Sequence, residues 1–128
     1  MFDLPKKYKL TSKKSIDRLF SNGNKIENKV FRLLWQYEEE AVKNPAPFKI
    51  LIVVPKKNIQ LSSTRNNIKR KMRESVRLNK PFFDKSLFQN SNTLNLAIIY
   101  QKQEIIDFCV AKKNIKSAFR NLTQEICN

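Results

Sequence analysis

Residues 65–80 read Arg65-Asn66-Asn67-Ile68-Lys69-Arg70-Lys71-Met72-Arg73-Glu74-Ser75-Val76-Arg77-Leu78-Asn79-Lys80, and the fold is read outward from them. At about 100° per residue, Ile68, Met72 and Val76 fall within roughly 80° of arc, the narrow apolar stripe of a helix docked on one side. Ser62, Ser63 and Thr64 offer an N-cap, and Pro81 is expected to close the far end. On either side lie two five-residue apolar runs, residues 50–54 and 96–100. Each belongs to a segment with strand character, residues 48–54 ending at Pro55, and residues 93–100. The near-continuous apolar run of the first predicts burial on both faces.

Further out, residues 29–37 alternate, with Phe31, Leu33, Trp35 and Tyr37 on one face of an earlier strand. Glu38, Glu39, Glu40 and Asn44-Pro45-Ala46-Pro47 follow as a turn-like connection. A short helix starts at Thr11 or Ser12, carries Ile16, Leu19 and Phe20 at helical spacing, and stops at Gly23. Residues 1–10 read as an extended basic arm. Residues 107–126 form a last helix, with Ala111, Ile115, Ala118, Phe119, Leu122 and Ile126 on one stripe. The expected order is α-β-β-(β)-α-β-α in one domain spanning residues 1–128. That is an α+β chain, a two-layer α/β sandwich with helices on a small sheet.

Composition removes several functions. The 128 residues carry 26 Lys+Arg against 11 Asp+Glu, a net charge of +15. No apolar run approaches the roughly 20 residues of a membrane-spanning helix, and the first residues lack the apolar core of a secretory signal. With no His, imidazole triads and His-metal sites are excluded. With one Gly, so is a glycine-rich phosphate loop. Cys109 and Cys127 have no CxxC spacing and read as reduced thiols rather than a structural disulfide. The acidic run Glu38 to Glu40 reads as a solvated strand end rather than a metal site, because consecutive strand carboxylates point to opposite faces.

The helix over residues 65–80 holds seven basic residues against Glu74 alone. Asn66, Lys69, Arg70, Arg73 and Arg77 fall within about 100° of one another beside the apolar stripe. Solvated helices mix charge signs for i,i+4 support, and this one does not. A one-sided row of guanidinium groups suits a polyphosphate ridge. The geometry favours nucleic acid over an anionic membrane surface or a plain solvated face.

The run Arg65-Asn66-Asn67-Ile68-Lys69-Arg70-Lys71-Met72-Arg73-Glu74 resembles the signature helix of the protein subunit of bacterial ribonuclease P. The surroundings share the likeness. Leu4-Pro5-Lys6-Lys7 with Leu10 resembles the family's opening, and residues 16–20 followed by Gly23 its first helix. Val53-Val54-Pro55-Lys56-Lys57 resembles the end of the strand before the signature, and residues 115–122 the last helix. Three departures stand out. Asn67 replaces a second Arg, Ile16 replaces a common Phe, and residues 58–64 lack the small turn of many relatives and run one residue longer.

The resemblance implies a ribonucleoprotein that removes the 5′ leader from precursor tRNA, its chemistry carried by an RNA subunit that holds Mg²⁺ with the substrate. The fold it implies is similar to a domain of some ribosomal proteins and has a left-handed βαβ crossover, against the general right-handed rule. Its implied partners are ribonuclease P RNA, with one protein per RNA, and precursor tRNA, in the cytoplasm and without a membrane. Carried over, Arg65, Asn66, Lys69, Arg70 and Arg73 are expected on the RNA subunit, with Arg77 beside them in the row, and Lys56 and Lys57 on phosphates. Phe20, with Ile16 and Phe31, is expected to line a cleft for the single-stranded leader, between the basic helix and the sheet face. Phe31 and Trp35 offer stacking surface, although strand-face core is the commoner use of such residues. Two other classes stay open: a structural or ribosomal RNA-binding protein of similar fold, and a self-sufficient nuclease using scattered carboxylates and Mg²⁺.

Overall fold

The computed structural model describes residues 8–39, 48–87 and 92–127. Residues 1–7 of the expected arm, Glu40, the Asn44-Pro45-Ala46-Pro47 connection and Phe88 lie outside the described residues. Helix α1 spans Lys13–Asn22, β1 Asn24–Glu27, β2 Phe31–Glu39, β3 Phe48–Val53, α2 Ser62–Leu87, β4 Asn92–Tyr100 and α3 Phe108–Cys127. The optional third strand before the basic helix is therefore real. It is β1, four residues with one apolar member, Ile26, and too short to announce itself by alternation.

The sheet order is β1-β2-β4-β3. Strand β2 is antiparallel to β1 and to β4, with Phe31 opposite Tyr100 and Glu39 opposite Asn92. Strands β3 and β4 are parallel neighbours, Phe48 opposite Leu94 and Val53 opposite Ile99, and α2 makes the crossover between them. Burial on both faces belongs to β4, where residues 93–98 are all buried. Strand β3 is at the edge, and Leu51, Ile52 and Val53 are only half-buried, because its far side has no full strand. The end of the arm shields that edge instead. Lys9 bridges to Ile50 in parallel, and the Leu10 N–H donates to the Ile50 carbonyl at 2.9 Å. The Tyr8 ring stacks at a tilt on Phe48, centroids 4.9 Å apart.

Alternation assigns the two faces. One carries Phe31, Leu33, Phe48, Ile50, Leu94, Leu96, Ile98 and Tyr100, packed against Ile68, Met72 and Val76 of α2 and Ala111, Ile115, Ala118, Phe119 and Leu122 of α3. These are the two main layers, and the stripes of both helices are those expected, apart from Ile126, whose side chain lies outside the described residues. On the other face, α1 sets Leu19 and half-buried Ile16 against Leu10, Leu34, Leu51 and Ala97.

Local chemistry sets the boundaries. The Ser12 hydroxyl accepts from the Ser15 N–H at 3.4 Å and caps α1. Gly23 ends α1 with φ −68°, in extended backbone, so handedness does not demand glycine there. Space does. A Cβ would run into the Leu19 carbonyl oxygen and lie 2.9 Å from Leu19 Cδ1. Asn28 turns β1 into β2 by accepting from the Val30 and Phe31 N–H groups at 2.9 and 2.8 Å, an Asx turn.

Two expectations about α2 change. The Arg65 N–H donates to the Leu61 carbonyl at 3.0 Å, so Leu61 holds the capping position and Ser62, Ser63 and Thr64 belong to the first turn. The helix also continues through Pro81 to Leu87, taking in Phe82 and Phe83. Proline removes one N–H from the ladder but does not oblige the remaining turns to stop.

Candidate nucleic-acid interface

Helix α2 is fixed at its start before any cation is placed. The Pro55 carbonyl accepts from the Asn58 and Ile59 N–H groups at 3.0 and 3.1 Å, and Asn58 Nδ2 donates to the Tyr100 carbonyl at 3.2 Å. The loop is thus tied to the end of β4. Along the helix, Ile68, Met72 and Val76 are almost wholly buried, each stabilising the docked state by about 1.5–3 kcal/mol. Ser75 shares the stripe, its hydroxyl satisfied by donating to the Lys71 carbonyl at 2.9 Å. A helix held so firmly presents its remaining side chains in fixed directions.

Those side chains do not form one row. Lys69 and Arg73 face the β3 edge, where with Lys9, Leu10, Thr11, Ile50, Leu51 and Ile52 they line a groove of about 230 Å³. Arg70 faces the other way, with Lys71, Glu74 and Phe108, onto a groove of about 350 Å³ between α2 and α3. Asn67, the departure from the signature, accepts from Arg70 Nη2 at 3.0 Å and holds that guanidinium in place. Arg65 turns back to brace the loop, its Nη1 donating to the Ile59 and Gln60 carbonyls at 3.0 and 2.7 Å. Arg77 is paired with Glu74, Nε to Oε2 at 3.1 Å with a second bond from Nη2. The Arg77 hydrogen bonds hold the Glu74 carboxyl below its ordinary value, and Glu74 raises Arg77 in return. Asn66 is exposed, as are Lys56 and Lys57 on the turn before α2.

The expected leader cleft does not hold together as three residues. Phe31 has no exposed surface, its ring 6.1 Å from that of Tyr100 in the core under α2. The period of two along β2 sends Phe31 inward with Leu33, so it cannot line an open cleft. Ile16 and Phe20 lie on α1, across the sheet from the stripe of α2, so α2 does not roof them. Phe20 is 47% exposed; Ile16 is half-buried in the α1 cluster. The two sides nevertheless communicate around the β3 edge. Leu10 and Leu51 line the groove beneath Lys69 and Arg73 and also pack in the cluster that holds Ile16.

Nothing in the sequence marks Lys9 or Thr11 as groove residues; their place there depends on the arm pairing with β3, which no local pattern announces. Glu38 is not a solvated strand end. Its Oε1 accepts from Arg18 Nη2 at 3.1 Å and its Oε2 from Asn95 Nδ2 at 2.7 Å, joining α1, β2 and β4. Burial pushes its carboxyl up, but hydrogen bonds from Ser15 and Asn95 and the charges of Arg18 and Lys49 outweigh burial and hold it below the usual value. Its position was legible: Glu38 follows Leu34 and Gln36 at even spacing, on the face where α1 docks.

Three carboxylates are engaged by neighbouring side chains. Glu27 accepts from Gln101 Nε2 at 2.9 Å and Arg32 Nε at 3.2 Å, and these bonds lower it. Glu38 and Glu74 serve Arg18 and Arg77. Among the described residues no three Cys, Asp or Glu side chains gather as a metal site. The exposed cations of α2 and of the turn before it suit binding of phosphates. Cys109 is an exposed free thiol, and no helix among the described residues is long and apolar enough to cross a membrane.

Residues 4–122 match the model of the family described as Ribonuclease P. The ribonuclease P protein component of Chlorobaculum tepidum is 29% identical over 103 residues, a span covering 77% of this chain and 67% of that one. The RNase P protein of Staphylococcus aureus superimposes with a TM-score of 0.66 at 17% identity, over 90% of this chain and 94% of that one. The RNase P protein of Thermotoga maritima does so with a TM-score of 0.62 at 23% identity, over 88% and 96%. At such identities the two structures establish a shared fold.

Proposed function

The chain belongs to the ribonuclease P family, as the protein subunit of a tRNA-processing ribonucleoprotein, and we propose that it acts there by holding two RNAs at once. The observation that carries this is the groove at the β3 edge. Lys69 and Arg73 sit at its rim, and its floor runs into the α1 side through Leu10 and Leu51. Cations of α2, with Lys56 and Lys57 ahead of them, hold backbone phosphates of the ribonuclease P RNA. The 5′ leader of precursor tRNA lies toward α1, where Phe20 offers an exposed ring for base stacking. Positioning of this kind steadies the substrate without any protein side chain entering the chemistry. In this reading hydrolysis belongs to the RNA subunit and Mg²⁺ is held by RNA and substrate phosphates, while Glu27, Glu38 and Glu74 brace cationic side chains of the protein itself. One protein per RNA, working in the cytoplasm, completes the proposal.

Reconstitution tests it. Precursor tRNA is incubated at low Mg²⁺ with the chain, with the cognate RNA subunit, and with both. The expected result is no cleavage by the chain alone and faster cleavage by the RNA when the chain is present. Cleavage by the chain alone would establish a nuclease instead. Binding without stimulation would leave a structural RNA-binding protein.

A further inference from the structure

Helix α3 buries Ala111, Ile115, Ala118, Phe119 and Leu122, which fixes the direction of everything else on it. At about 100° per residue, Lys112, Lys116, Arg120 and Lys113 fall within roughly 100° of arc. All four are exposed, and among the described residues none of them makes an ion pair. The acidic end of the helix lies elsewhere. Glu125, with Asn121 and Gln124, borders Ile26 of β1 on the opposite shoulder of the buried stripe. The cationic shoulder therefore faces α2. Phe108, Lys112 and Lys116 lie within about 80° of one another, and Phe108 lines the groove that holds Arg70 and Lys71. Among the described residues the only carboxylate lining that groove is Glu74, and Arg77 occupies it.

We propose that the outer face of α3 is a second RNA-backbone surface, separate from the β3-edge groove and continuous with Arg70 and Lys71 across the α2–α3 groove. It takes duplex RNA. From Lys112 to Arg120 the helix rises about 12 Å, the length of about four base-pair steps of duplex RNA, so four cations match several phosphates rather than one bound ion. A membrane-surface helix needs a broad face of exposed large apolar side chains beside its cations, and among the described residues this arc is bordered by half-buried Phe108 alone. The two cationic faces of α2 then have different tasks: Lys69 and Arg73 serve the β3 edge, while Arg70 and Lys71 serve the helical layer. The inference rests on the reading that the chain works on RNA within a ribonucleoprotein.

The test replaces the ridge by K112Q/K113Q/K116Q/R120Q. Glutamine keeps nearly the helix propensity of Lys and Arg, so the fold is expected to survive. The pair K112Q/K116Q serves as a milder variant should the quadruple fail to fold. Binding to ribonuclease P RNA and to a short RNA duplex is measured against salt concentration, with anionic phosphatidylserine vesicles as a third ligand. The log–log salt slope is expected to fall by about 3 for the quadruple variant and about 1.5 for the pair, at about 0.7–0.9 per lost phosphate contact. The effect should add to that of the Lys69 and Arg73 substitutions. An unchanged slope on both RNAs overturns the proposal, as does a loss confined to vesicles. If the wild type binds ribonuclease P RNA and the ridge variant matches its slope, only the ridge is lost. If the chain stimulates no cleavage but the variant loses duplex binding, the ridge stands and the proposed function falls.

Discussion

Glu38→Ala should loosen α1 from the sheet. The carboxylate accepts from Asn95 Nδ2 at 2.7 Å on a side chain 2% exposed, so its removal leaves a buried donor with nothing to bind. A hydrogen bond to a charged group is worth about 1.5–3 kcal/mol when one partner is deleted. The Arg18 pair adds about 0–1 kcal/mol, because Arg18 is more than half exposed and water screens it. The expected loss is about 1.5–4 kcal/mol for Glu38→Ala and about 1 kcal/mol for Glu38→Gln, which keeps an acceptor for Asn95. Urea unfolding followed by Trp35 fluorescence measures both. The sign of the pH dependence is fixed by the lowered carboxyl. Stabilisation is complete above the ordinary carboxyl value of 4.5 and disappears as pH falls through the lower folded value. The gap between wild type and Glu38→Gln should therefore close in acid. A loss below about 1 kcal/mol for Glu38→Ala, or a gap constant with pH, would refute the clamp.

Other perturbations separate the surfaces. Lys69→Ala with Arg73→Ala should lower the salt slope of RNA binding by about 1.4–1.8, and an unchanged slope would remove the β3-edge groove from the RNA face. Gly23→Ala should cost about 1–3 kcal/mol by forcing the Leu19 carbonyl to move, measured by urea midpoint; a neutral result would mean the turn relaxes freely. Phe20→Ala should leave stability within about 0.5 kcal/mol yet weaken leader-bearing precursor more than mature tRNA, and equal losses would detach Phe20 from the leader. Phe31→Ala should cost about 3–5 kcal/mol of stability and discriminate between neither ligand.

Elements with a long, one-sided apolar pattern were legible in the chain. The stripes of α2 and α3 and the alternation of β2 fall where the residues put them, with β2 displaced by two residues and its faces unchanged. Strand β1 was hidden because it owes its existence to pairing with residues 32–35 rather than to its own composition. The site was half legible. The list of cations is written in residues 65–77, but their division between two grooves depends on what α2 packs against. Arg65 and Arg77 look equivalent to Lys69 in sequence, yet loop carbonyls engage one and Glu74 the other. Phe31 is open in sequence to both stacking and the commoner core reading, and the packing of the sheet under α2 and α3 decides for the core.

The placement of β4 between β2 and β3 has a consequence in time. A ribosome delivers the arm, α1, the first three strands and the basic helix before the strand that joins them. Until residues 92–100 emerge, β3 lacks its parallel neighbour and α2 has no completed floor for Ile68, Met72 and Val76. Pairings that span so much chain form slowly, since loop closure must precede any gain from contact. The positively charged helix is thus synthesised well before it can be aimed, and its cations take fixed directions only after residues 92–100 have emerged.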